Sequence, residues 1–281
     1  MTTIYSVYLA AMKDGKEAGV LSNDLRILLA HNQGYERPID VLYFKDQEIK
    51  DLPLFEEQYA RLKKGEPVEY IINEARFLEH KLFVDPRVLI PRPETEELIA
   101  NLSERICSFF DPRNYLVCAD IGTGSGAIPV ALKTFFPHWV LLANDVSSDA
   151  LDVAKKNFLT YEIRVQSFLG SSLKPYIDNN IKLDIIISNP PYILEPDTVQ
   201  DSVKDYEPSL ALYLNKDESV YEDIFKNYKE VKKGALYMAF EIAPDLVDWL
   251  TSLMKQYLKN YEYAFVDDLD GKTRFLFIYL E

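Results

Sequence analysis

Residues Leu183 to Ser188 read Leu-Asp-Ile-Ile-Ile-Ser, a short apolar run without the polar alternation of a strand that faces water. Such a strand has to be covered on both faces, which is the condition of a parallel sheet sandwiched between helices. The chain on either side supplies the helices. From about residue 95, helical periodicity alternates with short apolar strands: a helix Glu96 to Phe110, a strand Tyr115 to Ala119, a helix Ile128 to Phe136, a strand Val140 to Ala143 and a helix Asp149 to Leu159. Beyond residue 188 come a helix Tyr221 to Lys232, a strand Ala235 to Ile242, a helix Asp245 to Leu258, and strands near Ala264 and over Phe275 to Leu280. This order predicts an α/β fold with a doubly wound sheet.

The first third reads differently. Ile4, Tyr8 and Ala11 recur at helical spacing, and Leu25, Leu28 and Leu29 form a second stripe behind the capping pair Ser22-Asn23. A further helix fits Leu54 to Lys64, with Gly65 as its stop signal. Tyr70-Ile71-Ile72, Arg76-Phe77-Leu78 and Lys81-Leu82-Phe83-Val84 are β-type runs, and Asp85-Pro86 marks a turn. The expected division is a helical domain 1–72, a β-hairpin linker 73–90 and an α/β domain 91–281. A chain of 281 residues, 48% of them hydrophobic, is long enough to bury two cores.

A net charge of −14 argues against general affinity for nucleic acid, which favours a basic face. No apolar run is long enough to span a bilayer, and the amino terminus lacks the basic start and apolar stretch of a signal peptide, so a cytoplasmic protein with no membrane partner is expected. Cys107 and Cys118 lie in apolar segments without metal-ligand spacing and are expected to be reduced core residues. His31, His80 and His138 lie outside every motif, so neither a metal site nor a histidine base is expected.

Two motifs carry chemistry. Asp120-Ile121-Gly122-Thr123-Gly124-Ser125-Gly126 sits between a predicted strand and helix, where glycines permit a tight turn and close ligand approach to the backbone. The spacing is neither the dinucleotide fingerprint nor a phosphate-binding P-loop. Asp145 ends the next predicted strand, where a doubly wound fold places an acid that binds a ribose hydroxyl pair; the alternative is a helix-start aspartate in a capping-rich segment. The second motif, Asn189-Pro190-Pro191-Tyr192, follows the buried strand directly, at the edge where open α/β sheets bind ligands. Consecutive prolines remove two donors and leave rigid carbonyl acceptors, Asn189 adds an amide, and Tyr192 a flat face for stacking. Together these would grip a planar –NH2 group and aim its delocalised lone pair.

Residues 120–126, Asp145 and 189–192 resemble the class I S-adenosylmethionine methyltransferases of the amino-methylating type. Pro67-Val68-Glu69-Tyr70-Ile71, Leu89-Ile90-Pro91-Arg92-Pro93-Glu94-Thr95-Glu96-Glu97, Glu207-Pro208-Ser209-Leu210-Ala211-Leu212, Glu241-Ile242 and Asp270-Gly271-Lys272-Thr273-Arg274 narrow this. Over nearly the whole chain, and most weakly in the helical first third, it is similar to the protein-(glutamine-N5) methyltransferases that modify peptide-chain release factors, the PrmC/HemK family. The resemblance implies a Rossmann-like doubly wound sheet with a small N-terminal helical domain that docks the substrate protein. It implies methyl transfer from S-adenosylmethionine, with S-adenosylhomocysteine as product, to the glutamine of the Gly-Gly-Gln motif in class 1 release factors, without metal and without direct nucleic-acid binding.

Carried over, Gly122, Thr123, Gly124, Ser125, Gly126 and Asp145 would hold the cofactor, and Asn189 would touch both cofactor and substrate. Pro190, Pro191 and Tyr192 would complete the glutamine pocket, with Asn189, Pro190 and Tyr192 as the catalytic set. Arg92 and Glu94 would lie near the acceptor, although Arg92 could equally form a helix-start salt bridge with Glu96 or Glu97. Glu241, at a strand end, could serve only to order a loop.

The chain departs from the family at Leu169-Gly170-Ser171-Ser172-Leu173, where an acid and an apolar residue usually meet the adenine. A serine there can still hydrogen-bond a base edge, and Ser172 is carried into the cofactor set. Leu214-Asn215-Lys216-Asp217-Glu218 replaces a glycine-rich turn, and Ala243 follows Glu241-Ile242 where the family has glycine. The same four-residue motif serves DNA adenine-N6 methyltransferases, which flip a base and need a recognition region with a basic groove, whereas this chain has no basic extension and is strongly acidic. A glutamine methyltransferase of a ribosomal protein is the nearer alternative, and the Pro-Arg-Pro-Glu-Thr-Glu run favours release factors over it.

Overall fold

The computed structural model describes residues 2–194 and 200–281, and it places the run from Leu183 at the centre of a seven-stranded sheet. The chain groups into two units, one of residues 2–74 with 200–206 and the other of residues 75–194 with 207–281.

The smaller unit is built from α1 (Ile4–Asp14), α2 (Ser22–Gln33), α3 (Asp40–Tyr43), α4 (Leu52–Leu62) and α5 (Val68–Ile72). Of the apolar stripes anticipated from spacing, Ile4 and Ala11 pack with Leu25, Leu28 and Leu29 in its core, and Tyr8 is only partly buried against it; Val7, Phe55 and Leu62 complete the core. Tyr70-Ile71-Ile72 is helical, contrary to the β-type reading. Val68 and Ile71, three apart on one helical face, are buried in this core, and that burial overrides the local β propensity.

The larger unit opens with a hairpin, β1 (Ala75–Phe77) and β2 (His80–Leu82), paired antiparallel. The hairpin groups with the sheet rather than standing apart from it. Then follow α6 (Pro93–Arg105), β3 (Val117–Ile121), α7 (Ala127–Phe135), β4 (Val140–Asp145), α8 (Ser148–Thr160), β5 (Val165–Leu169), α9 (Lys174–Asp178) and β6 (Leu183–Ser188). After α10 (Asp201–Tyr206), which belongs to the smaller unit, come α11 (Val220–Val231), β7 (Lys232–Glu241), α12 (Val247–Tyr257), β8 (Tyr261–Asp267) and β9 (Thr273–Leu280).

The strand order is β5-β4-β3-β6-β7-β9-β8, parallel except for β9, which runs antiparallel to both neighbours. Every residue of β6 is buried. Ile185 and Ile187 join a core with α6, α7 and α8 on one face, whereas Leu183 and Ile186 join a core with α11 and α12 on the other. The strand is covered on both sides, as its composition requires.

Strand β3 begins two residues later than its apolar run suggested, because Tyr115 projects into solvent, 74% exposed. The edge strand β5 gave no sequence signal: it is only partly covered, and Gln166 and Ser167 interrupt its apolar residues. Cys118 is buried in the sheet, but Cys107 is exposed just beyond α6 and is not a core residue. Among the described residues, no helix is long and apolar enough to cross a membrane.

Candidate active site

The sheet changes direction between β3 and β6: successive strands run outward from β3 to β5 on one side and from β6 to β7 on the other. A crevice outside the carboxyl ends of the strands is expected at such a point. The glycine loop leaves β3 there and Asn189 leaves β6 there, with Asp120 and Ile187 in register.

The loop's glycines are needed for two different reasons. Gly122, Gly124 and Gly126 all have positive φ, at 74°, 53° and 79°. A Cβ on Gly126 would lie 2.6 Å from the Phe158 ring, so this glycine permits the close packing of α7 on α8. A Cβ on Gly122 or Gly124 would meet nothing within 4 Å, so here the backbone borders open space. Polar bonds hold the loop. Gly122 and Thr123 donate backbone N–H to the Asn144 carbonyl, each at 2.9 Å, and Asn157 Nδ2 donates to the Ser125 carbonyl at 2.8 Å.

Asp145 accepts from Gly124 N and from Ser147 N, both at 2.9 Å. It therefore does tie the following helix start, and it also braces the glycine loop. Burial raises its carboxyl above the usual range, with those backbone donors opposing. Asn144 Nδ2 donates to the carbonyls of Gly170 at 2.8 Å and Ser172 at 3.2 Å, folding the 170–172 turn against the end of β4.

Several polar atoms here lack partners. Both carboxylate oxygens of Asp120, Thr123 Oγ1 and Ser172 Oγ are buried without a hydrogen bond among the described residues. Burial pushes Asp120 up to about 7, and the nearby Thr123 hydroxyl offsets this only in part. Unpaired buried oxygens, two acids and open space above a bare backbone suit a ligand that carries positive charge and several hydroxyl or amino groups. S-adenosylmethionine has those groups.

The second motif is wired to residues far off in sequence. Asn189 Nδ2 donates to Thr95 Oγ1 at 3.0 Å, and Thr95 Oγ1 donates to Glu241 Oε2 at 2.7 Å. The Tyr192 hydroxyl donates to Glu241 Oε1 at 3.1 Å, and the Tyr221 hydroxyl to the Glu241 carbonyl at 2.7 Å. Glu241 is fully buried at the end of β7, which pushes its carboxyl up to about 7 against the opposing Thr95 and Tyr192 hydroxyls. Pro190 is buried, whereas Asn189, Pro191 and Tyr192 are half-buried. Burial, then the Glu241 charge, raise the Tyr192 phenol.

The Pro-Arg-Pro-Glu-Thr-Glu-Glu run at the start of α6 is a hub. Arg92 pairs with the buried Glu207 at 2.5 Å, not with Glu96 or Glu97. Those two acids are committed elsewhere, accepting from Leu78 N at 2.8 Å and from Leu269 N at 3.0 Å. Glu207 also accepts from Ile90 N at 3.2 Å, so Arg92 braces this loop. Glu94 is half-buried, and its charge bears on both Tyr192 and Glu241. Thr95, Asn144 and Asn157 were absent from the sequence-based site, because nothing local shows which distant group an interior hydroxyl or amide will meet.

A family described as methyltransferase small domain matches residues 96–206. A methyltransferase from Pyrococcus furiosus shares the fold, with a TM-score of 0.50 at 14% identity over 79% of this chain and 97% of that one. The release factor glutamine methyltransferase of Bacillus subtilis (strain 168) is 34% identical over 278 residues, 98% of this chain and 96% of that protein. The release factor glutamine methyltransferase of Bacillus anthracis is 35% identical over 221 residues, 78% of each chain. This chain, with its glycine loop and its Asn-Pro-Pro-Tyr edge, belongs to the release factor glutamine methyltransferase family.

Proposed function

We propose that this enzyme transfers a methyl group from S-adenosylmethionine to the side-chain amide nitrogen of the glutamine in the Gly-Gly-Gln motif of class 1 peptide chain release factors. The observation that carries the reading is the placement of Asn189-Pro190-Pro191-Tyr192 at the same sheet edge as the glycine loop, with the Asn189 amino group already bound to Thr95. Gly122, Thr123, Gly124, Ser125, Gly126 and Asp145 would hold the cofactor, with the unpaired Ser172 hydroxyl available to the base. When bound, the cofactor supplies a methyl group on a sulfonium, an electrophile that requires only a nitrogen lone pair.

The substrate amide supplies that lone pair, and the chain's own residues aim it. Asn189 Oδ1 and the Pro190 carbonyl would each accept one N–H of the glutamine amide, turning its lone pair toward the methyl group. Pro191 has no backbone N–H to compete for those acceptors. Tyr192, held by Glu241, would stack on the planar amide. Neutral acceptors suffice, because the departing proton becomes acidic only as the nitrogen gains positive charge. The smaller unit would select the release factor, since a small pocket cannot choose one protein by itself.

The test is incubation with labelled S-adenosylmethionine and purified release factor, ribosomal protein or DNA in parallel, followed by mapping of the label. Label on the Gly-Gly-Gln glutamine is expected; label confined to another acceptor overturns the reading. Asn189→Ala should leave the fold intact but lose at least about a hundredfold in turnover.

A further inference from the structure

The start of α6 delivers one hydroxyl, that of Thr95, between the Asn189 amide and the Glu241 carboxylate. We propose that Thr95 and Glu241 are positioning residues that fix the rotation of the Asn189 amide, so that its oxygen rather than its amino group meets the acceptor nitrogen. The inference rests on the methyl-transfer reading above and adds to it how the pocket is set for an –NH2 substrate.

An asparagine amide turned by half a rotation has almost the same shape, so packing alone does not choose between its two faces. The chemistry does. An –NH2 acceptor offers only hydrogens, and an asparagine amino group facing it would leave two donors opposed. The choice is made at Glu241. An ionised carboxylate only accepts, and this one receives the Tyr192 hydroxyl on Oε1 and the Thr95 hydroxyl on Oε2. Thr95 has a single proton and has given it to Glu241, so it can present only lone pairs to Asn189. The atom of Asn189 that meets it, at 3.0 Å, is therefore the amino nitrogen. Oδ1 is left facing the other way. One buried negative charge thus sets the direction of a three-member chain that ends at the substrate.

The same chain can run backward. A protonated Glu241 can donate to Thr95 Oγ1, and the Thr95 proton then favours an Asn189 oxygen in place of the nitrogen. The charged or titratable groups that bear on Glu241 are Glu94 from α6, Tyr192 from the β6 exit, Tyr221 from α11 and Arg274 from β9. Arg274 favours the carboxylate, Glu94 opposes it, and burial is the largest influence, so the change falls near neutral pH. Turnover is accordingly expected to rise as pH increases through about 7, beyond any change in cofactor affinity.

Thr95→Val, which keeps shape and removes the hydroxyl, Thr95→Ser, which restores it, and Glu241→Gln test this in the full chain. The measurements are kcat and KM for release factor across neutral pH, cofactor affinity by calorimetry, and the side-chain 15N–1H signals of Asn189. Thr95→Val should lower kcat about tenfold, with KM and cofactor affinity within about twofold. Thr95→Ser should recover most of that loss, and Glu241→Gln should abolish the pH step. The Asn189 signals should move in Thr95→Val and stay in Thr95→Ser, and should titrate near neutral pH in the wild type and Thr95→Ser but not in Thr95→Val or Glu241→Gln. Wild-type kcat in Thr95→Val, or Asn189 signals identical to wild type there, overturns the proposal. If Thr95→Val does not fold, the wild-type titration decides alone, and Asn189 signals that do not move through neutrality overturn it. A wild type that methylates no release factor overturns the substrate reading instead, since the Asn189 signals report on the network without any acceptor.

Discussion

Asp120 and Glu241 carry the two most deeply buried carboxylates at the ligand edge, 1% and 0% exposed. Glu241 has two hydroxyl donors to answer its charge, whereas Asp120 has no hydrogen-bond partner among the described residues. An isolated buried charge is costly, so Asp120 has a pronounced pH signature. Its carboxyl is pushed from 3.8 up to about 7, which means that the folded chain binds this proton more tightly than the unfolded chain does. Stability from this group is complete below the unfolded carboxyl range and is lost as pH rises from there through about 7, with a slope of up to about 1.4 kcal/mol per pH unit. Asp120→Asn removes the titration. Thermal melts without cofactor should show wild-type stability declining across neutrality and a shallower decline in the variant; parallel curves would show that Asp120 does not titrate there. At this scale the sequence exposed residue types more readily than partners. Asn189 and Tyr192 stand together in sequence at a strand exit, whereas the bridge from Arg92 to Glu96 or Glu97 that helical spacing offered as an alternative to an acceptor contact gives way to a pair with Glu207, 115 positions away.

Elements were legible wherever burial was complete. Strands β3, β4 and β6 are central and apolar, so hydrophobic pattern located them, while β5 lies at an edge and α5 is decided by the core it enters. The turn from β3 to α7 is the element on which the proposed cofactor binding depends, and its glycines separate two physical effects. In Gly126→Ala the new methyl would sit 2.6 Å from Phe158 Cε1 and 3.2 Å from Ala154 Cβ. Phe158 is 4% exposed and packed in the core, so it has little room to yield. About 2 kcal/mol or more of stability should be lost, through overpacking and backbone strain together. Gly124→Ala meets no protein atom within 4 Å and should cost only about 1 kcal/mol through its positive φ. Its methyl would enter the open side of the loop, so its loss of cofactor affinity should exceed its loss of stability. Denaturant titrations without cofactor, paired with calorimetric binding, separate the two variants. Equal losses of stability would show that the contact with Phe158 relaxes freely.

On the scale of the whole molecule, the hydrophobic core of the smaller unit is separate from the two that cover the faces of the sheet. The smaller unit closes over Leu25, Leu28 and Leu29, and the larger closes on both faces of the sheet. The helical character of the first third was readable from its stripes. That α10, more than a hundred residues later, belongs with it was not readable, because a six-residue polar helix without a buried residue leaves no periodic mark. Separate cores predict separable stability. Leu28 is 0% exposed, and Leu28→Ala should remove about 2–5 kcal/mol from the smaller unit while sparing the sheet. Ile186 is also 0% exposed, but it lies in β6, the strand that ends just before the motif, so Ile186→Ala should weaken the unit proposed to bind the cofactor. Calorimetry should resolve this, since cofactor at a large excess over its Kd stabilises only the unit that binds it. Cofactor should raise the transition that Ile186→Ala lowers and leave unmoved the one that Leu28→Ala lowers. Leu28→Ala should then keep its affinity for S-adenosylmethionine while its KM for release factor rises, because the damage falls on the unit proposed to select the protein. One cooperative transition, shifted alike by both substitutions and by cofactor, would mean that the two cores melt together and that docking and chemistry cannot be divided in this way.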